Sequence, residues 1–301
     1  MTTLFFICLI WVILTLKTSR PDGMMVGYLH SYRKLLLYIM PSKVHSTVYY
    51  EETIVADELI AYLEKARLKF DATMTHVLVA ATARALRKNQ NMNRFVAGHR
   101  LYQRDGVWVT FSMKRKKLDK AAKLATVKLE TFGDESFEEL SRRIDGEISV
   151  QRSEQITYED RELGLLSKLP RPILRLCVTL GRCANYFNLL PGDFIEKDGM
   201  FTSAFIANLG SLGMKPGYHH LFEWGNCPIF IVAGEIEQRV VPIDGKPMVR
   251  HVLPLKITYD ERIDDGLTAK GAIESIVETL SNPANSLGCL QEDGSDRNLL
   301  R

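Results

Sequence analysis

Leu253-Pro254-Leu255-Lys256-Ile257-Thr258-Tyr259-Asp260-Glu261-Arg262-Ile263-Asp264-Asp265-Gly266 is an apolar, strand-forming run that empties into a turn carrying four acids. A helix must follow it: Ala269, Ala272, Ile273, Ile276, Val277 and Leu280 fall on one stripe, and Asn282-Pro283 ends the pattern. Upstream, Asp244-Gly245 stands between the β-rich runs Pro228–Val241 and Met248–Tyr259, the dipeptide of a tight hairpin. Asp105-Gly106 stands in the same way between Phe95–Tyr102 and Val107–Ser112, so a second hairpin is expected there. Asp57 can cap a helix whose apolar face is Leu59, Ile60, Leu63 and Ala66, and Thr73 another through Val77, Leu78, Ala81 and Leu86. Helices packed on a mixed, partly antiparallel sheet, in one α/β domain, account for all of these signals.

The composition sets outer limits. The 301 residues are 46% hydrophobic, enough for a sizeable core, which excludes disorder, collagen and coiled coil. Lys and Arg number 39 against 36 Asp and Glu, a formal charge of +3, so the chain as a whole carries no field for nucleic acid. Five cysteines (Cys8, Cys177, Cys183, Cys227, Cys289) without a CxxC point away from a disulfide framework and from a metal site. No GxGxxG, Walker loop, HExxH or GxSxG is present, so dinucleotide, nucleoside triphosphate, zincin and α/β-hydrolase chemistry have no foothold.

Three segments are unusual. Leu4–Leu16 is uncharged and, counted from Met1, would reach about 24 Å as a helix against a hydrocarbon core of roughly 30 Å. Lys17 and Arg20 follow it, which would leave the rest of the chain on the cytoplasmic side. Two readings are open: a signal anchor followed by a linker-like turn at Arg20-Pro21-Asp22-Gly23, together residues 1–23, or a true start at Met24 or Met25 that leaves a cytoplasmic protein. Between Lys114 and Lys123 six basic residues face one acid, Asp119, either a solvated loop or a contact for phosphates. From Leu163 to Gly192 there is no acid at all, only Lys168, Arg171, Arg175 and Arg182 among apolar residues, with Pro172 suited to a first helical turn. Such a helix reads as a membrane-surface element, as a lid over a greasy substrate, or as an ordinary core or oligomer-interface helix. Residues 24–287 then form the domain and 288–301 a polar tail.

The run Phe201-Thr202-Ser203-Ala204-Phe205-Ile206-Ala207-Asn208-Leu209-Gly210 and the turn Asp260–Gly266 together resemble the catalytic domain of the 2-oxoacid dehydrogenase acyltransferases and its relative chloramphenicol acetyltransferase. The resemblance spans roughly residues 24 to 285, in order. It implies a two-layer chloramphenicol acetyltransferase-like α/β sandwich, a homotrimer with active sites between subunits, and coenzyme A thioester as co-substrate, without metal. Neither the lipoyl domain nor the subunit-binding module of such chains is found in the sequence.

The resemblance also assigns roles. Asp265 would be the turn aspartate paired with an early arginine, here Arg33. Ser203 would be the hydroxyl that donates to the developing oxyanion. The histidine that removes a proton from the attacking acceptor falls at Glu261, so the usual base is absent. Glu261 is then itself the base, its carboxyl raised by burial, or the base moves to Tyr218-His219-His220, with His220 the candidate, or catalysis is lost and an acyl-binding or scaffold protein remains. The expected activity is acyl transfer from acyl-CoA to a small or lipidic acceptor. Glu223-Trp224-Gly225 could shape a channel mouth.

Overall fold

The computed structural model describes residues 11–12, 15–114, 124–152, 164 and 168–301. Most of the candidate anchor, the basic run from 115 to 123 and the start of the acid-free stretch lie outside the described residues. No described helix is long and apolar enough to cross a membrane.

Among the described residues ten strands form two sheets. β1 (Gly23–Met25), β3 (Arg94–Ala97) and β4 (Arg100–Arg104) make a small sheet in the order β1-β4-β3. The main sheet uses β2 (Thr47–Val55), β5 (Val107–Lys114), β6 (Leu124–Thr131), β7 (Ala204–Asn208), β8 (Ile229–Ala233), β9 (Glu237–Ile243) and β10 (Lys246–Asp260). Its order is β2-β10-β8-β7-β5-β6, with β9 on β10. β7 lies parallel to β5 and β8 and every other pair is antiparallel, the expected mixed sheet.

β10, 15 residues long, pairs with three other strands. Its first half, Lys246–Val252, turns back on β9 through Asp244-Gly245, both at positive φ as a two-residue hairpin turn requires. Its second half pairs with β2 on one side and β8 on the other. Leu255, Ile257 and Tyr259 alternate onto one face, where they join a core with Ile229, Ile231, Val109 and Phe111.

Helices α1 (Ser31–Ile39), α2 (Asp57–Ala66), α3 (Met74–Lys88), α4 (Phe137–Arg152), α5 (Arg171–Tyr186), α6 (Gly192–Lys197), α7 (Gly266–Ser281) and α8 (Pro283–Leu287) complete the domain. The Thr73 hydroxyl caps α3 by accepting from His76 N–H, and Val77, Leu78, Ala81 and Leu86 are buried as their spacing predicts. α7 buries Ala269, Ala272, Ile273, Ile276 and Leu280 in the same core. α5 differs from all of these: none of its residues is buried.

Three expectations are corrected. Asp105-Gly106 makes no hairpin, because β4 and β5 belong to different sheets. The run Phe95–Tyr102 folds on itself instead at Gly98-His99, whose φ values of 56 and 58 supply the turn. Residues 288–301 are not a free tail. Cys289 and Leu300 are buried, Leu300 N–H donates to Glu135, and the Tyr62 hydroxyl donates to Gly288. Residues 20–22 belong to the domain as well: Arg20 and Asp22 form a 2.9 Å ion pair, 1% and 8% exposed, that reaches the buried Arg104.

Candidate active site

The turn after β10 is built around Asp260. Its carboxylate grips the Arg262 guanidinium in two hydrogen bonds, Nε to Oδ1 at 2.9 Å and Nη2 to Oδ2 at 2.8 Å, and accepts a third from the Ser46 hydroxyl. Asp260 and Arg262 are both buried, so charge and hydrogen bonding replace the lost water. Arg262 also donates to the Met40 carbonyl, which ties the turn to the segment after α1.

Glu261, between these two residues, is held by its backbone: its N–H donates to the Ser46 carbonyl at 2.8 Å. Its side chain is half-buried and takes part in no hydrogen bond or ion pair among the described residues. Burial pushes the Tyr259 phenol up, and the carboxylates of Glu261 and Asp265 add to that shift. The three groups therefore share one end of the sheet.

Asp265 is the N-cap of α7. Its Oδ1 accepts from Leu267 and Thr268 N–H at 3.1 and 3.0 Å, bonds that hold its carboxyl below the usual range. The expected pairing of Arg33 with Asp265 is corrected here. Arg33 approaches Asp264 instead, at 3.6 Å, with Arg94 on the other oxygen at 3.6 Å. Asp265 spends its lone pairs on the helix start, and its neighbour takes the cations.

Ser203 is completely enclosed. It stands just ahead of β7, where its Oγ accepts Trp108 N–H at 3.0 Å and its own N–H donates to the Trp108 carbonyl at 2.8 Å. Phe205 pairs with Phe230 and Asp260 N–H bonds to Pro228, so Ser203 lies level with Asp260 but with β8 between them, about 10 Å across the sheet. The hydroxyl expected beside a thioester thus serves the β5–β7 junction within the chain.

The two histidines stack on the other face of the sheet from Tyr259. The His219 ring lies 4.0 Å from that of Phe230 and His220 4.9 Å from His219, while the His219 carbonyl accepts from the Thr258 hydroxyl. His220 is exposed and His219 half-buried. The structure therefore groups Glu261 with Asp265 and leaves Ser203 and His220 elsewhere in the same chain. Lys43 and Ser46, which frame the turn, carried no signal in the sequence; Arg262 carried one, an opposite charge two residues after Asp260.

Among the described residues no group of His, Cys, Asp and Glu could hold a metal ion. Arg262 also borders a cavity of about 380 Å³, and Glu223, Trp224 and Gly225 line it too.

Residues 194–288 match the family model of the 2-oxoacid dehydrogenases acyltransferase (catalytic domain). The chain is similar to that catalytic domain in segment and in fold. A probable dihydrolipoamide acetyltransferase from Listeria monocytogenes 4b F2365 superimposes with a TM-score of 0.56 at 17% identity, over 88% of this chain and 99% of that one. The dihydrolipoamide acetyltransferase of Azotobacter vinelandii gives 0.54 at 16% identity, over 87% and 93%. A chloramphenicol acetyltransferase gives 0.53 at 12%, over 86% and 99%. A comparison with curated protein sequences gives no match. The acyltransferase-like fold read from the turn and from the run before Gly210 is therefore present, and its matched segment contains both.

Proposed function

We propose that this acyltransferase-like domain moves an acyl group from a coenzyme A thioester to a small or lipidic acceptor, with Glu261 as the base. The acceptor's hydroxyl, amine or thiol would attack the thioester carbonyl carbon while Glu261 removes its proton. The C–S bond then breaks and the departing thiolate leaves as free thiol after taking up a proton. The observation that carries the reading is Glu261 itself: a half-buried carboxylate with no partner among the described residues, on a turn clamped by Asp260 and Arg262 within the segment that matches the catalytic domain. The Azotobacter vinelandii structure was studied for the role of a serine, a histidine and an asparagine in its catalytic mechanism, the last two four residues apart. Glu261 and Asp265 have that separation, which supports the placement of the base. His220, exposed on the opposite face of the sheet, is the second base candidate.

Ser203 gives the reading no oxyanion donor within the chain, since its hydroxyl is enclosed. That same enclosure favours a second reading, an acyl-binding protein without turnover. The exposed face of α5, with Ile173, Leu176 and Leu180 beside Arg171 and Arg175, supports a lipidic acceptor in the first reading and a lipidic ligand in the second.

Free-thiol release with a panel of acyl-CoA esters separates the two. Turnover by the wild type that Glu261→Gln abolishes without loss of fold supports the base. Turnover that survives in Glu261→Gln but falls in His220→Ala moves the base to His220. Absence of release from any ester, with an acyl ligand retained on purification, leaves the binding protein.

A further inference from the structure

Beside the motif turn, the cavity of about 380 Å³ is of the size that holds small ligands, and its walls come from the matched segment, from α5 and from residues 41–43 and 96–99. Arg262, Glu223 and Trp224 belong to the segment that matches the acyltransferase catalytic domain, whereas Arg182 and Tyr186 come from α5, which precedes it. The helix is seated through Gly181, where an added Cβ would come within 2.9 Å of the Trp224 ring. A helix outside the matched segment thus supplies one wall of an open chamber bordered by a residue of the motif turn.

The charges of the chamber are unequal. Lys43, Arg182 and Arg262 line it together with a single carboxylate, Glu223. Arg262 is matched by Asp260, and the Glu223 carboxylate accepts Val44 N–H, so one cation is left over. Lys43 is buried and lines the cavity, and two of its three ammonium protons go to the carbonyls of Phe222 and Gly225 at 2.8 and 3.0 Å, which leaves one ammonium proton without an acceptor among the described residues. Burial pulls the Lys43 ammonium down to about 8, so it is still charged at neutral pH. Arg182 stands exposed at the mouth and pairs with no carboxylate among the described residues. Trp224 and Tyr186 supply flat apolar walls.

We propose that this chamber binds a small anionic molecule, a carboxylate or phosphate on a flat or apolar body, with Arg182 and Lys43 as its anchors. Arg182 supplies the planar, bidentate donor and Lys43 the enclosed point charge, while the body of the ligand lies against Trp224. The site is independent of whether Glu261 turns over a thioester, because neither anchor touches the Glu261 carboxylate.

Benzoate, phenyl phosphate and the neutral benzyl alcohol, titrated separately into the full chain and followed by calorimetry and by tryptophan fluorescence, test this. Saturable binding of one or both anions, with benzyl alcohol weaker by about tenfold or more, is the expected result, and the stronger anion names the headgroup. Arg182→Gln should weaken that binding by about tenfold and Arg182→Lys by an intermediate amount, because the charge survives and the planar two-pronged donor does not, and Trp224→Phe should remove the fluorescence change. Circular dichroism controls for folding, and Arg182, being exposed, leaves the core of its variant intact. No saturable binding of either anion at about 10 mM, equal binding of the alcohol, or an unchanged affinity in Arg182→Gln would each overturn the proposal.

Discussion

Asp260 and Arg262 form a two-pronged ion pair inside the protein, 2% and 5% exposed at their side chains, and the backbone between them carries Glu261. The pair replaces water for both charges, so removal of one partner strands the other. Arg262→Met or Asp260→Asn should each cost about 3–5 kcal/mol of stability in urea unfolding at neutral pH. The double variant Asp260→Leu/Arg262→Leu should cost less than the sum of two such single losses. Additive losses would mean that the two side chains act separately.

Ser203 accepts a backbone N–H that would otherwise be buried without a partner. Ser203→Ala should therefore lower stability by about 1–3 kcal/mol, read by thermal or urea unfolding, and leave the turnover of the folded fraction unchanged. A folded Ser203→Ala protein whose kcat drops by about a hundredfold would instead return the serine to the oxyanion.

The part of this fold legible in the sequence is the part fixed by short-range chemistry. Thr73 ahead of an apolar stripe, Asp244-Gly245 between two alternating runs, and the strand that ends in Asp260–Gly266 each specify their element locally, and each stands where its pattern places it. Asp105-Gly106 offered the same dipeptide but does not form the turn: β4 pairs locally with β3 across Gly98-His99, and its other edge is taken by β1, remote in sequence. The residues from Gly288 onward are polar on average, yet Cys289 and Leu300 suffice to fix them once Tyr62 and Glu135 are in reach. At the site, the turn was legible and its geometry was not. Neither the exchange of Asp265 for Asp264 as the partner of Arg33 nor the enclosure of Ser203 by β5 is written in any local spacing.

Asp22 shows how much the residues ahead of β1 matter. Its carboxylate takes Arg20 at 2.9 Å, Arg104 at 3.7 Å and the Asn226 amide at 2.6 Å, and Arg104 is buried. Asp22→Ala leaves Arg104 with a charge and only the Asn226 oxygens to meet it. A loss of about 3–5 kcal/mol is expected, and a chain started at Met24 should be at least as unstable. If that shortened chain unfolded at the same urea concentration as the full one, the buried cluster would contribute nothing.

His76 sets a pH limit on stability. It is fully buried in α3, neither ring nitrogen has a hydrogen-bond partner, and the Asp145 carboxylate comes no closer than 3.5 Å. Burial pulls the imidazole down from 6.5 to about 4, and Asp71 offsets only part of that. The unfolded chain therefore binds a proton between about pH 6.5 and pH 4 that the folded chain does not, so stability is full above 6.5 and falls as the pH drops through this window. The difference amounts to about 3 kcal/mol at pH 4. In paired urea unfolding curves, His76→Gln should lose stability between pH 6.5 and pH 4 less steeply than the wild type, since the carboxylates common to both cancel. Parallel pH profiles for the two proteins would show that His76 does not titrate on unfolding as its burial requires.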